Sequence, residues 1–210
     1  MARKPFAVKG MDVTSPRGKA MWCKFKEPDF KYVVNGALST SLVCDPNNPT
    51  VQAFIAKLDA LRDVALAETK ETLGAKGNAY VARPVFSSEE DKDGNETGMI
   101  IFKFKLNNIK DRVAEGNSST ILVVDAKRNI IPVADQPSVG NGSLIRCVGY
   151  ANPYSAPNSK EVGISLIWTK MQVIELIEYT AGGGDDFEDE EGFEDPASAK
   201  TTEFTDADDF

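Results

Sequence analysis

The sequence predicts a mainly β protein: a small antiparallel barrel, closed or partly closed, with one α-helix inserted between early strands. A β-sandwich is the alternative. Three observations predict this. Short segments of alternating apolar and polar residues recur along residues 1–181, separated by Gly, Asn and Pro turn signals. One stretch alone has helical spacing. The remainder, 182–210, has no periodicity and is dominated by acids.

Residues 19–25 and 37–44 read as strands, with Asn35-Gly36 as a turn between them. The helix follows. Asn48 is placed to cap it, Pro49 stands at its first position, and Val51, Phe54, Ile55, Leu58, Leu61 and Ala65 share one face. It should stop near Gly74. Residues 75–98 form a long connection with a tight turn at Asp93-Gly94. From Ile100 to Leu106 the alternation is clear: Ile100, Phe102, Phe104 and Leu106 on the core face, Ile101, Lys103 and Lys105 on the other. Residues 120–125 and 129–134 read as a hairpin. Gly140-Asn141-Gly142 turns into a strand over 143–151, Asn152 to Asn158 reads as a loop, and a last strand covers about 162–178. Its alternation slips near Thr169, which suggests a bulge.

Charge divides the chain. Residues 185–210 hold 12 acids and one lysine, a net of -11, while residues 1–184 hold 20 acids and 23 bases, a net of +3. The join is Gly182-Gly183-Gly184, a hinge without side chains to pack. The domain division is therefore a folded body, 1–181, and a glycine hinge with a disordered acidic tail, 182–210. Phe187, Phe193, Phe204 and the terminal Phe210 are spaced among the tail acids. A purely solubilising tail has no need of them; they look like anchors for a surface both basic and apolar. Asp208, Asp209 and Phe210 are the expected partner-binding end.

The chain has no histidine, which excludes Ser-His-Asp and Cys-His catalysis and the H-E-x-x-H zinc motif. No phosphate-binding glycine motif is present. Cys23, Cys44 and Cys147 are odd in number and widely spaced, so reduced, buried thiols are expected rather than a disulfide framework or a zinc site. No enzyme, cofactor or metal is expected. No apolar run of signal-peptide or membrane-spanning length occurs, so the expectation is a protein that stays where it is made.

Holding an unpaired nucleic acid strand without sequence choice needs cations along the phosphates and aromatic faces under the bases. The body offers both. Trp22 and Lys24 cluster on an early strand, Lys103 and Lys105 project opposite a core face, Arg146 and Tyr150 share a strand face, and Tyr154 follows. Phe102, Phe104 and Trp168 read as core.

From end to end the chain resembles the replication single-stranded DNA-binding proteins of tailed bacteriophages of the T-odd type. The resemblance rests on the start Met-Ala-Arg-Lys-Pro-Phe, Pro28-Asp29-Phe30, Phe102-Lys103-Phe104-Lys105, Leu122-Val123-Val124-Asp125, Pro153-Tyr154, Val173-Ile174-Glu175-Leu176, and the junction Gly182-Gly183-Gly184-Asp185-Asp186-Phe187. Their order along the whole chain carries it. It implies an oligonucleotide/oligosaccharide-binding (OB) barrel. It implies coating of exposed DNA in replication, recombination and repair, contacts with the phage polymerase and helicase-primase through the tail, and homodimerisation. By position it makes Tyr154 a base-stacking residue and Arg3, Lys4, Lys105 and Arg146 phosphate contacts; Trp22, in a loosely matching stretch, is a further stacking candidate. The place of action would be the cytoplasm of the infected bacterial host. A shorter tail and different N-terminal spacing set this chain apart. The rival readings are an acidic-tailed interaction module or chaperone without DNA contact, and a carboxylate metal nuclease, for which no acidic pair gathers at strand ends.

Overall fold

The computed structural model describes residues 5–31 and 33–178, which fall within a compact unit running to Tyr179. The expected hinge and acidic tail, and with them Asp208, Asp209 and Phe210, lie outside the described residues, as do Arg3 and Lys4. Among the described residues are nine strands and two α-helices: β1 Met11–Thr14, β2 Gly18–Asp29, β3 Ala37–Cys44, α1 Pro49–Leu73, β4 Val81–Ala82, β5 Ser87–Glu90, β6 Glu96–Asn107, α2 Ile109–Ala114, β7 Leu122–Val124, β8 Leu144–Ala156 and β9 Glu161–Glu175.

Five strands make a circuit. β2 pairs with β3, β3 with β6, β6 with β9, β9 with β8, and β8 returns to β2. Two seams are narrow. β2 meets β8 only at Gly18↔Ile145 and Lys19↔Leu144, and β6 meets β9 only at Phe104↔Leu166 and Lys105↔Ile167. The barrel is therefore partly open, the form expected of an OB barrel. Its pairing is not antiparallel throughout: the chain reverses once more, through β8, before β9 is laid down, so β9 runs parallel to β6. β1, β4, β5 and β7 extend the sheet at the margins.

The alternation read from the sequence has its reason in the core. Phe102, Phe104, Leu106, Ile145, Cys147, Trp168 and Met171 point inward and are buried. α1 starts where the sequence places it: Asn48 Oδ1 accepts from Thr50 N–H at 2.9 Å, and Pro49 occupies the first turn. Its apolar stripe buries Val51, Phe54, Leu58 and Leu61 in the same core, with Phe54 edge-on to Phe102 at 5.0 Å between ring centres. Beyond Gly74 the chain continues in a 3-10 turn rather than leaving the helix at once.

The slip near Thr169 is a bulge. Val148 pairs with Lys170 and Gly149 with Trp168, so Thr169 is the extra residue, and its hydroxyl donates to Val148 O at 3.1 Å. Here the two backbones come so close that a Cβ on Gly149 would stand 2.0 Å from Ile167 O; only glycine fits.

Three expectations need correction. Asn152–Ala156 is strand, not loop: its pairing with Glu161–Ser165 is unbroken. Pro153 removes one N–H but buries its ring; the strand ends only before Pro157. The second arm of the 120–134 hairpin is reduced to a bridge between Val124 and Ile130, after which Pro132 leads into a 3-10 turn. And α1 is not alone, since β6 is followed by the six-residue α2.

Candidate nucleic-acid interface

The candidate side chains are set by parity. On β6, Lys103 and Lys105 alternate with buried Phe102 and Phe104 and are exposed. On β8, Arg146, Tyr150 and Tyr154 alternate with buried Ile145, Cys147 and Ala151, so all three face outward. Register then links them across the wall. Lys24 pairs with Ser39, Ser39 with Lys105, Lys105 with Ile167, and Ile167 with Tyr150. This one row crosses all five barrel strands. At about 4.8 Å per strand, Lys24 and Lys105 stand about 10 Å apart, with small Ser39 between them. Ser41 pairs with Lys103 on one side but with Met21 on the other, so Ser39 alone lies between two lysines.

Along β8 the candidates spread out instead of gathering. Arg146 and Tyr154 are eight residues apart on one strand face, about 26 Å at 3.3 Å per residue. Such a line suits a polymer better than a small molecule. Tyr154 pairs with Gly163 and lays its ring over it; Tyr150 packs against Gly10 of the N-terminal arm. Both rings are half-buried. Arg146 has its Nε buried without a hydrogen-bond partner among the described residues. Lys24 Nζ pairs with Asp29 at 3.2 Å. Trp22 is exposed at 66% and carries φ +54, a left-handed conformation that bulky residues seldom adopt.

The N-terminal arm is anchored on the same molecule. Phe6 is buried with Ala65, Tyr80 and Val162, and Glu68 accepts from the N–H groups of Ala7 and Val8 at 2.6 and 2.9 Å. Val162 pairs with Ser155, the residue after Tyr154. Lys170 is a cation that the sequence did not single out. Strict alternation from Trp168 would turn it inward; the bulge at Thr169 turns it outward, beside Val148 and diagonal to Arg146. The slip near Thr169 was the available signal.

No cluster of metal-binding side chains occurs among the described residues. The three cysteines are free, and burial pushes the thiol of Cys23 up to about 11 and that of Cys44 up to about 12. Cys147, deepest in the core, is raised by burial and then by its two neighbouring thiols.

The crystal structure of the single-stranded DNA-binding protein gp2.5 of bacteriophage T7 superimposes with a TM-score of 0.61 over 89% of this chain and 99% of that one, at 21% identity. The fold is that of a phage single-stranded DNA-binding protein. A second such protein, from bacteriophage Enc34 in complex with single-stranded DNA, matches with a TM-score of 0.51 over 80% of this chain and 88% of its own, at 13% identity. The sequence itself matches no protein-family model and no curated protein.

Proposed function

We propose that the protein binds single-stranded DNA along the outer wall of the barrel, by charge and stacking rather than by sequence, and that it does so as a coat rather than as an enzyme. One observation carries this reading: the row Lys24–Ser39–Lys105–Ile167–Tyr150, continuous through the five barrel strands, sets cations and a ring on one face. Lys24 and Lys105 on either side of small Ser39 leave the backbone of a nucleic acid room to lie close. Tyr150 and Tyr154 supply faces for bases, and Trp22, Lys103, Arg146, Arg3 and Lys4 extend the site. The two phage proteins of like fold, both named for binding single-stranded DNA, support the same reading.

In this reading the protein coats DNA exposed during phage replication, recombination and repair in the cytoplasm of the infected host. The acidic tail, net -11 against a body of +3, occupies the basic wall when DNA is absent. A tether across three glycines gives an effective concentration of about a millimolar, enough to populate a weak contact. DNA, with denser charge and stackable bases, displaces it. The end Asp208-Asp209-Phe210 is then free to recruit the phage polymerase and helicase-primase; homodimerisation is a separate part of the same reading. The test is a salt titration of binding to single-stranded and duplex oligonucleotides, with and without residues 185–210. Steep salt dependence and a preference for the single strand are expected. Equal affinity for duplex, or affinity indifferent to salt, would overturn the assignment.

A further inference from the structure

The outer half of β2 is a sheet edge. β8 pairs with β2 only at Gly18 and Lys19. The turn before β8 covers the next residues: Ala20 N–H donates to Ser143 O, Gly142 N–H to Ala20 O, and Trp22 N–H to Asn141 Oδ1 at 2.9 Å. Beyond that point a cleft of about 880 Å³ opens between residues 22–31 and 138–141, with Trp22, Lys24, Lys26 and Phe30 along one side and Asn141 on the other. Phe30 is fixed there by Lys110, whose Nζ lies 5.1 Å from its ring centre.

Trp22 is held in this cleft against its own preference. Met21 pairs with Ser41 and Lys24 with Ser39, three steps along β2 against two along β3, so the strand carries an extra residue here. Trp22 adopts φ +54 within that irregularity, a conformation glycine would take without strain. Burial does not account for a tryptophan at this place, because the residue is 66% exposed, whereas Trp168 is 0% exposed. What remains is the flat face it presents.

We infer that the Trp22 cleft is a separate nucleobase subsite, in which one base of a bound strand stacks on the indole, and that Asn141 is the positioning residue that holds Trp22 outward. The inference rests on the single-stranded DNA reading above. Lys24 ties the two together, since it lines the cleft and also stands in the row with Ser39 and Lys105. A strand crossing the wall reaches the cleft without leaving cationic surface. Glu27 and Asp29 line the same cleft, and Asp29 already holds Lys24, so cations alone would not select the site; the stacking face does.

The two tryptophans make the test direct. Trp168 is buried, with its Nε1–H donated to Lys170 O at 3.0 Å, so a change of tryptophan emission on adding an oligonucleotide reports Trp22. The full chain is titrated with oligothymidylates spanning about 4 to 16 nucleotides. Emission should be quenched, with the quench growing with length. Trp22→Phe should keep most of the affinity and lose the quench. Trp22→Gly should bind the long oligomers about 5- to 150-fold more weakly, the worth of one base–aromatic stack, while its Tm rises because the left-handed backbone no longer carries a side chain. A purely structural tryptophan would lose stability instead. Asn141→Ala should reduce both quench and affinity, and Asn141→Asp, which keeps the acceptor but adds a charge, should restore the quench at saturating oligonucleotide. If the wild-type chain binds but its emission is unchanged, or if Trp22→Gly binds normally, the subsite is refuted and the wall assignment stands. If the wild-type chain binds no oligothymidylate even in dilute buffer, the DNA reading itself falls.

Discussion

Replacing Gly163 by alanine should remove Tyr154 from the outer wall without altering Tyr154 itself. The new Cβ would stand 2.7 Å from the tyrosine hydroxyl oxygen, 2.8 Å from Cζ and 2.9 Å from Cε1. Carbon atoms in contact settle at about 3.5–4.0 Å, so one partner must yield. The ring yields, because it lies at the end of a half-buried side chain while Gly163 is fixed in the β8–β9 ladder. Gly163 does not have a left-handed φ, so its backbone accepts alanine, and the lost chain freedom in the unfolded state offsets part of any packing loss. The affinity lost should therefore equal that of Tyr154→Ala, about 1–3 kcal/mol for one stacked base, or about 5- to 150-fold in Kd. The assay is fluorescence anisotropy of a labelled oligothymidylate with both single variants and the double variant, alongside thermal unfolding. The double variant should bind no worse than Tyr154→Ala alone. Additive losses, or a Gly163→Ala chain that binds as the wild type while Tyr154→Ala does not, would refute the reasoning.

Replacing Lys105 by glutamine should lower the slope of log affinity against log salt by about 0.7, the counterion released by one single-strand phosphate contact, measured by anisotropy over a salt series. Removing residues 185–210 should tighten DNA binding at low salt and abolish capture of the polymerase; unchanged affinity at low salt would reject competition by the tail. Trp168→Ala removes the largest fully buried side chain among the described residues and should cost about 3–5 kcal/mol in denaturant unfolding, with little direct effect on oligonucleotide contacts. The thiols offer a pH prediction. The folded chain holds Cys23 near 11 and Cys44 near 12 against an ordinary 9.0, so the folded-state value is raised; the associated stability is intact below pH 9 and is lost as pH climbs toward those values. Native protein at pH 8 should accordingly resist alkylation of all three cysteines, and unfolded protein should react at once.

The barrel was legible because two of its strands keep period two without interruption: Ile100 to Leu106 and Ile145 to Ala151 alternate as written. α1 was legible to its first residue because Asn48 and Pro49 act locally. The failures share a cause, since they occur where pairing partners decide. Pro153 looks like a breaker until β9 lies beside it with the register running on both sides. The parallel seam between β6 and β9 leaves no local trace, because two residue pairs make it. Of the candidate site, the outward lysines and the shared face of Arg146 and Tyr150 followed from parity, whereas Tyr154 was read into a loop and joins that face because β8 runs on through Pro153. The strain at Trp22 and the role of Asn141 did not, since the two residues are 119 positions apart and meet through one hydrogen bond. Nor did Lys170, whose direction depends on one extra residue.

β9 pairs with β4, β6, β7 and β8, strands that begin between residue 81 and residue 144. Among the described residues it is also the last strand to be synthesised. Until Glu161–Glu175 has left the ribosome, β6 and β8 lack the strand that joins them, and the side of the core that Trp168 and Met171 fill stays open to water. Such long-range closure is slow to form and exposed to aggregation while it waits. A chain truncated before Glu161 should therefore precipitate rather than persist as a smaller binder, and production in quantity should improve when translation through this segment is fast.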